Sequence, residues 1–159
     1  METSRKTIIV FSGEFDKVMA AFIIANGAAA MDDEVTMFFT FWGLNALRKD
    51  THVKTTGKTP LQRMFGAMMP RGPKRLGLSN LNFAGVGPKL MMRVMRQQNV
   101  MTLTELIDTA REQGIKFVAC TMSMDVMGLR KEELLDGIEY AGVASYLVDA
   151  DESNVNLFI

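Results

Sequence analysis

The stretch KTIIVFSGEFDKVMAAFIIANGAAAMDDEVTMFFT, residues 6–40, decides the fold. Lys6–Phe11 is short, apolar and β-branched, which is the composition of a strand buried on both faces. Ser12-Gly13 turns the chain, and Asp16 stands where a cap would start a helix over Phe15–Met31. That helix is apolar nearly all round and rich in Ala, so it is expected to pack deeply against a sheet. Asp32-Asp33 closes it, and Glu34–Thr40 reads as a second buried strand ending in Phe41-Trp42-Gly43. Strand, helix and strand in so short a span make a βαβ unit, and therefore a parallel sheet.

The alternation is interrupted and then resumes. After a short helix expected at Leu44–Lys49, residues 51–60 are turn formers and basic residues. Leu61–Met69 carries apolar residues at 61, 64, 65, 68 and 69, the stripe of a helix, which Pro70 stops. A loop rich in Gly, Pro and Asn leads to a second basic amphipathic helix, Pro88–Gln98. Residues 51–101 therefore read as a helical insertion within an α/β domain, since a structureless loop of that length is improbable. Beyond it, Thr102 or Thr104 caps a helix over Glu105–Gln113 that Gly114 ends. Ile115–Cys120 is a third buried strand, Thr121–Gly128 a helical turn and Arg130–Leu135 a small amphipathic helix. Gly137–Ala141 and Val155–Ile159 complete five strands, with a helix at Val143–Asp151 between them. The expected architecture is a single domain over residues 1–159, a three-layer α/β/α sandwich on a mostly parallel sheet.

Composition narrows the chemistry. The 159 residues contain one Cys and one His, which excludes an internal disulfide framework and disfavours any zinc site built on Cys and His. No apolar run reaches the length of a membrane span, and the first ten residues lack a signal-peptide layout, so the expected compartment is the cytoplasm. The formal charge is zero, from 18 basic and 18 acidic residues, but the two signs are segregated. No Asp or Glu occurs between Asp50 and Glu105, where nine Lys and Arg stand: Lys54, Lys58, Arg63, Arg71, Lys74, Arg75, Lys89, Arg93 and Arg96. The remainder holds nine basic and 18 acidic residues, an acidic body carrying a basic insertion. Seven of the 14 methionines lie in that insertion as well.

Nucleotide motifs fail on inspection. The first strand-to-helix turn offers only Gly13 for a dinucleotide fingerprint. Gly57-Lys58-Thr59 resembles the tail of a P-loop, yet His52 occupies the upstream Gly position, no strand precedes it, and Pro60 is expected to block the helix. His52 reads as a surface histidine, and Asp32-Asp33 and Asp149/Asp151 as solvated helix ends. Without aromatic interleaving or a recognition helix, the basic residues do not point to nucleic acid. Two basic helices with Met, Leu and Phe on one face suit an anionic membrane surface through 54–96, a subunit interface or an acidic partner.

Cys120 stands apart by position. It ends a buried strand, at the sheet edge where α/β domains build their sites, and a helical segment follows at once. A thiol beside a helix N-terminus is in one of the settings that favour the thiolate; a buried Cys is otherwise a small hydrophobe. The same edge collects Ser12, Gly13 and Glu14 from the first strand and Thr40, Phe41 and Trp42 from the second.

ACTMSMDVMG (119–128) resembles the cysteine motif of the DsrE/DsrF/DsrH-like family of sulfur-trafficking proteins. Residues 11–49, with the FWG turn, are similar to that family's first βαβ unit, and MMPRG (68–72) and the closing EYAGVASYL…NVNLFI extend the likeness over nearly the whole chain. The resemblance implies a parallel-sheet sandwich, homo-oligomers, and a cysteine that accepts and donates sulfane sulfur as a persulfide. Its partners would be rhodanese-like proteins or small sulfur carriers acting as donor and acceptor, and only Cys120 can be that cysteine. Such chemistry needs no metal or organic cofactor. Thr121, Met122 and Ser123 are then candidates to stabilise the thiolate or persulfide, and Met124 to line the site with Ser12, Gly13, Glu14, Phe41 and Trp42. The alternatives are a non-catalytic module, in which Cys120 is structural and the insertion mediates oligomerisation or docking, and a thiol redox sensor.

Overall fold

The computed structural model describes residues 3–159. Its strands are β1 (Arg5–Val10), β2 (Glu34–Phe39), β3 (Lys116–Cys120), β4 (Glu139–Ala141) and β5 (Val155–Phe158). They form one sheet in the order β4-β3-β2-β1-β5. Every pair is parallel, so the sheet is wholly rather than mostly parallel. The α-helices are α1 (Phe15–Ala29), α2 (Pro60–Met68), α3 (Val86–Gln97), α4 (Leu103–Glu112), α5 (Thr121–Met127) and α6 (Val143–Asp151). Strand order explains the layers. The chain steps from β1 to β4 in one direction, so right-handed crossovers put α1 and α4 on one face. The single reversal, from β4 back past β1 to β5, carries α6 to the other face.

The two faces are unequally filled. Under α1 and α4 lies a continuous core in which Phe22 meets Phe39 and Phe117, with ring centroids 6.0 and 5.6 Å apart. Asn26 of α1 donates to the Leu106 carbonyl of α4 at 2.9 Å and ties the two helices together. Under α6 the buried cluster is small: Phe38, Val118, Cys120 and Tyr146. α1 is not buried all round, because Ile23 and Ile24 face outward.

Several local expectations are corrected. Pro60 does not block a helix but begins one: Thr59 caps α2, and proline at the first helical position gives up an amide that would lack a partner anyway. Asp16 is not a cap. Glu14 holds the cap position without a side-chain bond, and the Asp16 carboxylate accepts from the Ser79 amide and hydroxyl, tethering the insertion to α1. Leu44–Lys49 is not a separate helix: a 3-10 helix spans Phe41–Leu47, and Arg48 leaves it extended. Arg130–Leu135 is only a 3-10 turn at Lys131–Glu133, since Leu134 is drawn into an antiparallel bridge with Arg48. Of the two threonines, Thr102 caps α4, in a reciprocal pair with Glu105.

Candidate functional site

The parallel register brings all strand carboxyl ends to one edge, with Phe39 opposite Ala119 and Cys120 opposite Ala141. Because side chains alternate along β3, Phe117 and Ala119 enter the large core, whereas Val118 and Cys120 point to the α6 face. Cys120 is therefore placed beneath Tyr146, whose ring lies 5.0 Å from that of Phe38 and whose hydroxyl hydrogen-bonds Thr7 Oγ1 at 3.1 Å. The thiol-bearing residue is only 3% exposed.

Cys120 also occupies the cap position of α5, but its side chain accepts no hydrogen bond from the first turn. Of the neighbours, Thr121 and Met122 are exposed, and Ser123 and Met124 are buried. Ser123 Oγ and Thr40 Oγ1 share a hydrogen bond of 2.7 Å, joining the start of α5 to the end of β2. α5 closes at Gly128, at φ 69°, where Gln62 of α2 fills the space a side chain would need. Gln62 Nε2 donates to the Asp125 carbonyl at 3.1 Å, so the insertion rests on the helix that Cys120 begins.

The remaining edge candidates assemble elsewhere. Ser12, Gly13, Glu14 and Trp42 line a cavity of about 380 Å3 together with Phe11 and Lys17, and Cys120 is not part of its wall. Gly13 is required there, because a side chain would fall 2.6 Å from the Trp42 carbonyl oxygen. Glu14 pairs with Lys17 and its amide donates to Ser12 Oγ at 3.1 Å. Phe41 adopts φ 46° and packs on Phe11, ring centroids 5.7 Å apart, and does not itself line this cavity. Trp42 reaches the insertion, 6.2 Å from the ring of Phe65.

One residue around the thiol escapes a reading of the sequence. Tyr146 looks like one more position of an apolar helix and has no local signature. Arg48 escapes as well. It sits between Leu47 and Lys49 as a surface arginine would, yet it is 2% exposed. Among the described residues no cluster of His, Cys, Asp and Glu could hold a metal ion, and no helix is long and apolar enough to cross a membrane.

Comparison with known proteins places this arrangement. The model of the DsrE/DsrF/DrsH-like family matches residues 2–158. The chain is 61% identical over 158 residues to the uncharacterized protein YrkE of Bacillus subtilis, covering 99% of this chain and 98% of that one. It is 36% identical over 163 residues to the sulfur carrier protein DsrE2 of Allochromatium vinosum, covering the whole of both. Among solved structures it is similar to the ychN protein from E. coli, with a TM-score of 0.56 at 9% identity, covering 99% of this chain and 100% of that one. Protein MTH1491 of Methanobacterium thermoautotrophicum gives a TM-score of 0.58 at 12% identity, with coverages of 97% and 98%. These two likenesses concern the fold.

Proposed function

The chain belongs to the DsrE/DsrF/DrsH-like family, and from that premise we propose that it is a sulfur carrier that holds sulfane sulfur as a persulfide on Cys120. One observation carries the reading: the sole cysteine of a chain alignable end to end with a sulfur carrier stands at the carboxyl end of a central strand. The chemistry is redox-neutral. The Cys120 thiolate attacks the outer sulfur of a donor persulfide, forming a new S–S bond while the donor's S–S bond breaks and its thiolate leaves. An acceptor thiolate then attacks the outer sulfur of Cys120–S–SH in the same way and regenerates Cys120. The apolar wall of Phe38, Val118 and Tyr146 shields a loaded persulfide from water. Ser123, hydrogen-bonded to Thr40, is the buried hydroxyl-bearing residue of α5. Since Cys120 is covered, loading and unloading require α6 or the first turn of α5 to shift.

Intact-mass measurement after incubation with a sulfane-sulfur donor tests this. The expected result is one added sulfur atom per chain, removed by a thiol acceptor and absent in Cys120→Ser. A chain that takes up no sulfur under conditions that load a known carrier overturns it.

A second role is favoured by the faces that α2 and α3 leave open. Leu61, Met64 and Met68 on α2 and Leu90, Met91 and Val94 on α3 are exposed, and α3 also carries exposed Lys89, Arg93 and Arg96. Apolar and cationic side chains together on helices suit an anionic lipid surface. Co-sedimentation with anionic but not zwitterionic vesicles, lost when Lys89, Arg93 and Arg96 are changed to Gln, is the expected outcome. Equal binding to both vesicle types overturns it.

A further inference from the structure

HVKTTGKT (52–59) is not a P-loop: Thr59 Oγ1 accepts from the Gln62 amide to cap α2, and Lys58 Nζ donates to Glu133 Oε2 at 2.6 Å. The segment nevertheless walls a cavity of about 430 Å3 against the side of α2. Into this space converge Arg48, Lys54, Lys58, Arg63 and Arg71, with His52 beside them and Glu133 as the only carboxylate in the lining. Glu133 is already engaged, by Lys58, by the Arg130 amide at 2.8 Å and by Arg48 Nη2 at 3.9 Å. Among the described residues no carboxylate comes within ion-pairing distance of Lys54, Arg63 or Arg71.

Arg48 makes the site a built one. Its guanidinium is buried and held by carbonyls in and just beyond the last turn of α2, with Nη2 donating to Gly66 O at 3.1 Å and Nη1 to Met69 O and Pro70 O at 3.3 and 3.2 Å. Its Nε is buried without any acceptor. Burial, and the like charge of Arg71 nearby, both act against the protonated form of Arg48, while Glu133 supports it. Like charges gathered in a concave, partly dehydrated space repel one another and focus a positive potential, which an anion relieves. Guanidinium groups bind planar or tetrahedral oxyanions through paired N–H donors.

We propose that this cavity is a binding site for a small polyvalent oxyanion of the diphosphate type. Five basic side chains against one carboxylate leave a net charge suited to a ligand with several negative charges rather than one. The volume exceeds that of a single phosphate, and no Phe, Tyr or Trp lines it. Cys120 is not in the wall, so the anion is not the sulfur donor in place, and the inference stands apart from the persulfide reading. A ligand here would bridge the 52–58 loop to α2, and α2 is the helix that rests on α5 through Gln62.

Calorimetric titration of the full chain with inorganic diphosphate, phosphate and sulfate, at constant ionic strength, tests the site. Saturable binding of one diphosphate per chain is expected, weaker for phosphate and sulfate. Arg63→Gln and Lys54→Gln, both on exposed side chains whose loss leaves the fold intact, should each weaken it about tenfold, the loss of one charge-assisted contact. Arg111→Gln on α4, outside the cavity, should leave it unchanged. Free diphosphate and the diphosphate end of a larger molecule share this chemistry, and a parallel titration with ADP distinguishes them: equal affinity identifies the free anion, tighter binding the larger molecule. Absence of saturable binding, or equal weakening by Arg111→Gln, overturns the proposal. Phosphate binding as tightly as diphosphate overturns the two-group assignment.

Discussion

The two faces of the sheet are built from the same five strands and differ in almost everything else. On one, α1 and α4 close a core in which Phe22, Phe39 and Phe117 interlock, and Asn26 ties the two helices together. On the other, a single helix covers Phe38, Val118 and Cys120 through its Tyr146 and leaves Phe158, Val143 and Leu147 open. The closed face supplies stability through burial, at roughly 25 cal/mol per Å2 of apolar surface. The thin face supplies a cover that can move, because few apolar contacts hold it. The lesson is that strand order, through one reversal, decides which side of a parallel sheet is left available.

The largest effect expected from breaking this contrast is on the closed face. Phe22→Ala should cost about 3–5 kcal/mol in chemical denaturation, through lost burial and the cavity left behind; a loss under about 1 kcal/mol would mean that the core is not closed there. Next is the anchor of the insertion. Arg48→Ala removes the donors that satisfy the carbonyls of Gly66, Met69 and Pro70, and should cost about 2–3 kcal/mol. Hydrogen exchange should locate the loosening at α2, and uniform exchange across the chain would argue against the anchoring role.

On the thin face, Tyr146→Ala should destabilise less than Phe22→Ala yet speed alkylation of Cys120 about tenfold or more, since it removes the cover. Unchanged labelling would show that α5, not α6, guards the thiol. The smallest effect concerns Asp16. Partial burial alone would raise its carboxyl, but the hydrogen bonds from Ser79 outweigh that and hold it below the ordinary carboxylate range. A group depressed in the folded state stabilises above its unfolded value, about 3.9, and loses that contribution as pH falls through its folded one. Residues 77–80 should therefore exchange faster under acid, and Asp16→Asn should remove the pH dependence. The exposed setting keeps the effect small.

Particular residues show where reading the sequence succeeds. KTIIVF and EVTMFF declare buried parallel strands because nothing else places β-branched and aromatic residues in such short runs, and Cys120 is marked by ending a third. The capping of α4 by Thr102 follows from the Glu three residues on. Pro60 misleads because one residue can either break a helix or open it, depending on a cap one position earlier. The candidates Ser12, Gly13, Glu14 and Trp42 do share a cavity, but they follow β1 and β2, two strands and one strand from the β3 that ends in Cys120, and sequence order carries no record of that spacing.

By itself the sequence determined the parallel α/β architecture, the basic insertion and the prominence of one cysteine, since periodicity, charge and residue count are local or additive properties. Only the tertiary structure decided that Cys120 lies under Tyr146, that Arg48 is buried against the end of α2, and that five cations of separate segments face one cavity. Those facts depend on which distant segments meet, and burial and field strength are set by that meeting rather than by any residue's own chemistry.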